Sequence, residues 1–172
     1  MKNLKNVPEL HTGRMILREI EEQDASEIVR WRDDPEVYRY FKSPHQITME
    51  EHLNWYQHRY LSNPDRLDWM GIVAKDGRKA GVFGLVLDGD TAEVSYLLAP
   101  EAQHRGYAVE AVKELIRFAF STGIQQVIAE IHWENDASLK LVNRLGFRLL
   151  KGEGDFLTYG IEEEKSSDTD QG

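Results

Sequence analysis

Apolar and polar positions alternate along Met15-Ile16-Leu17-Arg18-Glu19-Ile20, the period-two pattern of a half-buried strand. The period then lengthens. Asp24 opens, as a cap, a run in which Ile28, Val29 and Trp31 recur at helical spacing. Pro35, after Asp33-Asp34, closes that run, because proline disfavours helical geometry in the residue before it. Thr48 followed by Glu51 has the form of a capping box, so a second helix is predicted from Met49 to about Leu61, with Ser62-Asn63-Pro64-Asp65 as its end. Trp69 to Lys75 and Lys79 to Leu87 are separated by Asp76-Gly77-Arg78, and Asp88-Gly89-Asp90 leads into Thr91 to Leu98. Asp-Gly turns between apolar runs predict hairpins, hence three neighbouring antiparallel strands.

In the second half, Val109, Val112, Ile116 and Ala119 fall on one helical face, and Gly123 is placed as a stop. Val127 to Trp133 reads as a strand and Ala137 to Leu145 as a short helix ended by Gly146. Phe147 to Leu150 and Phe156 to Ile161 read as closing strands. The order β-α-α-β-β-β-α-β-α-β-β predicts an α/β fold, one mixed twisted sheet with helices on both faces. No repeat or linker divides the pattern, so residues 1–161 are expected to form a single domain. Residues 162–172 are acidic, lack an apolar pattern and are expected to be disordered.

Composition narrows the chemistry. A chain of 172 residues can bury a substantial core, and its lack of cysteine excludes disulfides, thiolate metal sites and cysteine nucleophiles. A formal charge of -9 argues against nucleic acid as a partner and suits a neutral or cationic acceptor, although an acidic surface also serves solubility. No apolar stretch has the length of a signal peptide or a membrane span, which gives the expectation of a cytoplasmic protein with no membrane partner. His45, His52 and His58 share no metal-ligand pattern with nearby carboxylates, so no metal is assigned.

The densest candidate chemistry is Gln103-His104-Arg105-Gly106-Tyr107-Ala108, set between the strand ending at Leu98 and the helix from Val109. A strand that feeds a glycine turn into a helix offers unpaired amides to an anion, and a Cβ at Gly106 would keep a diphosphate away from the backbone. The spacing Gln/Arg-x-x-Gly-x-Gly/Ala resembles the pyrophosphate loop of the GNAT superfamily of acetyl-CoA-dependent N-acetyltransferases. Downstream, Asn135-Asp136-Ala137-Ser138-Leu139 and Arg144-Leu145-Gly146-Phe147 resemble the Asn-x-x-Ser/Ala…Leu-Gly-Phe pattern of the same family. The resemblance runs from Met15 to Ile161, with features of the RimJ/RimL branch and of amino-sugar N-acetyltransferases. It implies acetyl-CoA as co-substrate, a splay between the fourth and fifth strands that admits the pantetheine arm, and an oxyanion donor from the backbone of Leu98 or Leu97. It also implies that Asn135 contacts the cofactor and that Ser138 lies near the sulfur. Pairing of late strand edges between subunits, hence a homodimer, follows from the same source.

An amine must lose a proton as it attacks a thioester, so a base is required. Glu93 ranks first, with a solvated strand-end carboxylate as the competing reading. Glu130, His132 and Glu134 share one face of the later strand and stay open, His132 more as a hydrogen-bonded structural residue than as a base. Relatives carry a tyrosine acid where this chain has Val142; Ser138 stands open as its substitute, as a helix cap or as a cofactor contact. The resemblance places the acceptor site between the first two strands, and stacking makes Trp31, Tyr38 and Trp55, with His52, candidates there, against packing of Trp55 on the sheet. The acceptor is a primary amine on a small metabolite, such as an amino sugar or polyamine, or a protein N-terminus. A non-catalytic acetyl-CoA sensor is the alternative of a different class.

Overall fold

The computed structural model describes residues 5–164. An eight-stranded sheet runs β1 (Leu10–His11), β2 (Met15–Glu19), β3 (Arg66–Val73), β4 (Lys79–Asp88), β5 (Thr91–Leu98), β6 (Gln126–His132), then β8 (Phe156–Glu162) with β7 (Arg148–Glu153) at the edge. The helices are α1 (Ala25–Arg32), α2 (Pro35–Tyr38), α3 (Met49–Trp55), α4 (Tyr107–Ser121) and α5 (Asp136–Arg144). Because the short β1 precedes the first expected strand, the expected fourth and fifth strands are β5 and β6. Glu162 closes β8 rather than opening a tail, and residues 165–172 of the expected tail lie outside the described residues.

The local reasons are legible. The Thr48 hydroxyl accepts the Glu51 N–H and the Glu51 carboxylate accepts the Thr48 N–H, both at 3.1 Å, which starts α3 at Met49. Regular helix stops earlier than expected, since Tyr56–Tyr60 form a π turn in which the rings of Tyr56 and Tyr60 stack 5.5 Å apart. Asp24 does not cap α1 through its side chain. Its fully buried carboxylate instead takes Arg18 at 2.8 and 2.9 Å, Lys79 at 2.8 Å and the Glu21 N–H at 2.8 Å, tying β2, β4 and the start of α1 together. A buried carboxylate needs these charged partners more than a helix amide needs a cap.

The two sides of the sheet follow from neighbouring residues of β3. Trp69 packs edge-on to Phe118 of α4 at 5.6 Å, whereas Asp68 faces a cavity shared with His52 and Trp55 of α3. Successive strand residues point to opposite faces, so α3 and α4 cover opposite sides. β5 and β6 pair in parallel only from Thr91 to Glu93 against Gln126 to Ile128. Beyond Glu93 they diverge, while β5 stays on β4 to Leu98 and β6 stays on β8. The sheet is therefore splayed at the place the resemblance implies.

Candidate active site

The Ala99 N–H donates to the Ala80 carbonyl at 2.8 Å, and the β4–β5 register continues unbroken from Gly81↔Leu98 to Asp88↔Thr91. Bonded and non-bonded pairs alternate in an antiparallel ladder. Leu97, opposite Val82, thus spends its N–H and C=O on β4, and those of Val94, Tyr96 and Leu98 turn toward the gap. Of the two oxyanion candidates, geometry presents the amide of Leu98 and not that of Leu97.

The same pairing sorts the side chains. Glu93 lies beside Ile128 and shares its face with Glu130 and His132, the face that α3 covers. Burial, then the charge of Glu130, pushes the Glu93 carboxyl above its ordinary range, which makes it a stronger base near neutral pH. Lys42 forms an ion pair with Glu130. The Glu134 N–H donates to Nδ1 of His132 at 3.1 Å, and the His132 ring packs against Tyr40 and Phe156, each centroid 5.4 Å away. His132 is thus hydrogen-bonded through Nδ1 and packed against two rings.

On the opposite face, the Tyr96 hydroxyl meets Ser138 Oγ at 2.6 Å across the gap. Burial raises the Tyr96 pKa, so its proton stays on at neutral pH. Tyr96 is one residue that sequence reasoning missed, because it reads as one more apolar position in a strand. Asn135 caps α5 by accepting the Ser138 N–H at 3.2 Å, so the cap belongs to Asn135 and the Ser138 hydroxyl is used by Tyr96.

The loop has the backbone geometry an anion cradle requires. Gly106 is the N-cap of α4 at φ +82° with no side-chain cap, so the first-turn amides from Tyr107 and Ala108 are unpaired. His104 also adopts positive φ, 63°, and together the two residues curl the backbone around Arg105. The Arg105 side chain turns away, donating to the Glu101 carbonyl at 3.2 Å. With Tyr107 it lines a third cavity near the β3–β4 turn, so the backbone of the loop is what it offers to an anion. Gln103 is half-buried beside it. Arg14, unmarked in the sequence, braces the loop. It donates to the Arg105 carbonyl at 2.7 Å, pairs with Glu110 and lies 4.3 Å over the Tyr107 ring.

Two cavities meet at Phe41, Ser95 and Tyr96. The smaller, about 260 Å³, holds Glu93, His132, Asn135 and Ser138 at the splay. The larger, about 640 Å³, holds His52 and Trp55 under α3. Trp31 and Tyr38 line neither; Trp31 is 1% exposed within the core. Among the described residues no cluster of His, Asp or Glu is arranged for a metal, and no helix is long and apolar enough to cross a membrane.

A family model described as an acetyltransferase (GNAT) domain matches residues 14–148. The chain is 29% identical over 147 residues to the uncharacterized N-acetyltransferase YoaA of Bacillus subtilis, covering 82% of this chain and 83% of that one. It is 25% identical over 146 residues to the spermidine N(1)-acetyltransferase of Escherichia coli K12, covering 82% and 75%. Among solved structures, RimL, a ribosomal L7/L12 alpha-N-protein acetyltransferase in complex with coenzyme A, superposes with TM-score 0.80 at 16% identity over 90% of this chain and 98% of that one.

Proposed function

The chain belongs to the GNAT acetyltransferase family, an acetyl-CoA-dependent N-acetyltransferase, and on that premise we propose how its residues divide the work. The co-substrate, when bound, supplies the acetyl group as a thioester. The residues present fit it: uncapped amides at Gly106 to Ala108 for the diphosphate, and the gap-facing peptide groups of Tyr96 and Leu98 for the pantetheine arm. The Leu98 N–H stabilises the oxygen that becomes negative as the amine adds to the carbonyl carbon. Glu93 takes the proton from the amine nitrogen. As the carbon–sulfur bond breaks, Tyr96, held by Ser138, gives its proton to sulfur.

The observation that carries this reading is the splay itself, with a carboxylate of raised pKa on one face and a protonated hydroxyl on the other. The acceptor is a primary amine, on an amino sugar, a polyamine or a protein N-terminus; relatives named for spermidine and for a protein N-terminus support that range. One domain over 1–161, acting in the cytoplasm where the donor thioester is made and without nucleic acid or membrane, completes the proposal. The open edge of β7, with Leu149 and Leu150 exposed, supports a homodimer. A thiol-release screen with amino sugars, polyamines and N-terminal peptides tests the reading. Turnover that disappears in Glu93→Gln while acetyl-CoA still binds is the expected result. Acetyl-CoA binding with no turnover on any amine would replace it with a sensor.

A further inference from the structure

The larger cavity carries more positive charge than its own acids use. Asp68, 3% exposed, accepts from Arg66 Nε at 3.0 Å and is thereby committed to it. Glu51 is exposed and serves the Thr48 cap. Arg32 is left over. Its Nε is buried with no hydrogen-bond partner, its guanidinium lies 4.8 Å from the Phe41 ring, and among the described residues it joins no ion pair. Arg59, also on the lining, has no ion pair among the described residues either. His52 beside them is held below its ordinary pKa by burial and by the charge of Arg32, so it adds no compensating charge of either sign near neutral pH.

Arg32 is half-buried, and a guanidinium whose buried Nε–H is idle gains from an anionic partner, its planar fork matching a carboxylate or phosphate. In the adjoining cavity Glu130 is paired with Lys42, and Glu93, which joins no ion pair among the described residues, is the carboxylate left to take an amine. From this polarity we infer that the acceptor is an amine that also carries an anionic group, a carboxylate or a phosphate, which seats on Arg32 while the amine reaches Glu93. The inference rests on the acetyltransferase reading and deepens it. It also separates this chain from polyamine chemistry, since a polycation would bring another positive charge against Arg32, whose neighbouring acid, Glu51, is exposed and bonded into the Thr48 cap.

The test uses matched acceptors on the full chain: an amino acid and its amide, an amino-sugar phosphate and the free amino sugar, and spermidine. Thiol release gives kcat and KM, and calorimetry with coenzyme A present gives acceptor affinity. The anionic member of at least one pair is expected to have kcat/KM at least tenfold above its neutral partner. The carboxylate and phosphate arms show which anion it is. In Arg32→Gln that preference falls by tenfold or more, chiefly through KM and acceptor Kd, with acetyl-CoA affinity retained. Arg32→Lys, which keeps the charge and loses the fork, falls between and serves if the glutamine variant does not fold. Turnover in which neutral amines or spermidine match the anionic partners overturns the inference and leaves the acetyltransferase reading intact; absence of turnover on all of them and on N-terminal peptides overturns the reading beneath it.

Discussion

Gly106→Ala isolates the cofactor cradle, because a second glycine in α4's own flanks provides a matched control. Gly106 sits at φ +82° before α4, and Gly123 at φ +101° after it. A residue with a Cβ costs about 1–2 kcal/mol in the left-handed region, so either alanine lowers stability by that amount, a Tm loss of roughly 2–8 °C in a chain of this size. Their surroundings differ. A Cβ at Gly123 meets nothing within 4 Å, whereas one at Gly106 stands 3.2 Å from Arg14 Nη2, the atom that braces the loop through the Arg105 carbonyl. Relieving that contact turns the first amides of α4 off their common target. Each charge-assisted hydrogen bond lost to a diphosphate is worth about 1.5–3 kcal/mol, so acetyl-CoA binding weakens by roughly tenfold to a hundredfold. Calorimetry with acetyl-CoA, run beside thermal melts, reads both effects. Gly123→Ala shares the Tm loss and keeps the affinity. Equal Kd values for the two variants would refute the assignment of the cradle.

Glu93 carries a raised pKa, so its charge is a cost to the fold that is absent at low pH and grows as pH rises through that pKa. Glu93→Gln is therefore expected to raise Tm at pH 8 while removing turnover, and the wild-type rate should fall as pH drops through a limb lying above the ordinary carboxylate range; a melt that drops instead would contradict the burial argument. Tyr96→Phe should lower kcat by about a hundredfold or more, the range of a lost general acid, with the acetyl-CoA Kd within about twofold; unchanged kcat assigns the proton to water. For Asp24, burial alone would raise the pKa, but Arg18, Lys79 and the Glu21 N–H hold it down at about 2. A group so depressed contributes stability above its unfolded pKa of about 4 that is lost as pH falls toward 2, and the gap is worth about 2 kcal/mol. Asp24→Asn should cost at least that, roughly 4–8 °C in Tm, with KM for acetyl-CoA unchanged.

Local signals carried most of the elements. The Asp-Gly turns, the Thr48 capping box and the apolar face of α4 each depend on residues close in sequence, and each appears where the pattern predicts it. Contacts made at long range were not legible. Arg14 reaches Glu110 and Arg105 across 96 and 91 positions, and nothing in the sequence marks it apart from other strand-end arginines. The placement of β8 between β6 and β7 is likewise a matter of register across the sheet. Aromatic residues misled in both directions: Trp31 has the profile of a stacking residue and lies in the core, while Tyr96 has the profile of core and presents a hydroxyl to the gap. Arg32 sits in the last turn of α1, where a cation is ordinary, and only the structure shows its Nε buried without a hydrogen-bond partner.

A crystal structure of the chain with acetyl-CoA bears most directly on the central claim, that the splay between β5 and β6 receives the thioester. The account predicts the diphosphate on the amides around Gly106 to Ala108 and the pantetheine arm bonded to the peptide groups of Tyr96 and Leu98, with Leu97 still paired to Val82. Cofactor bound elsewhere, with the gap closed over by the Tyr96–Ser138 contact, would contradict it.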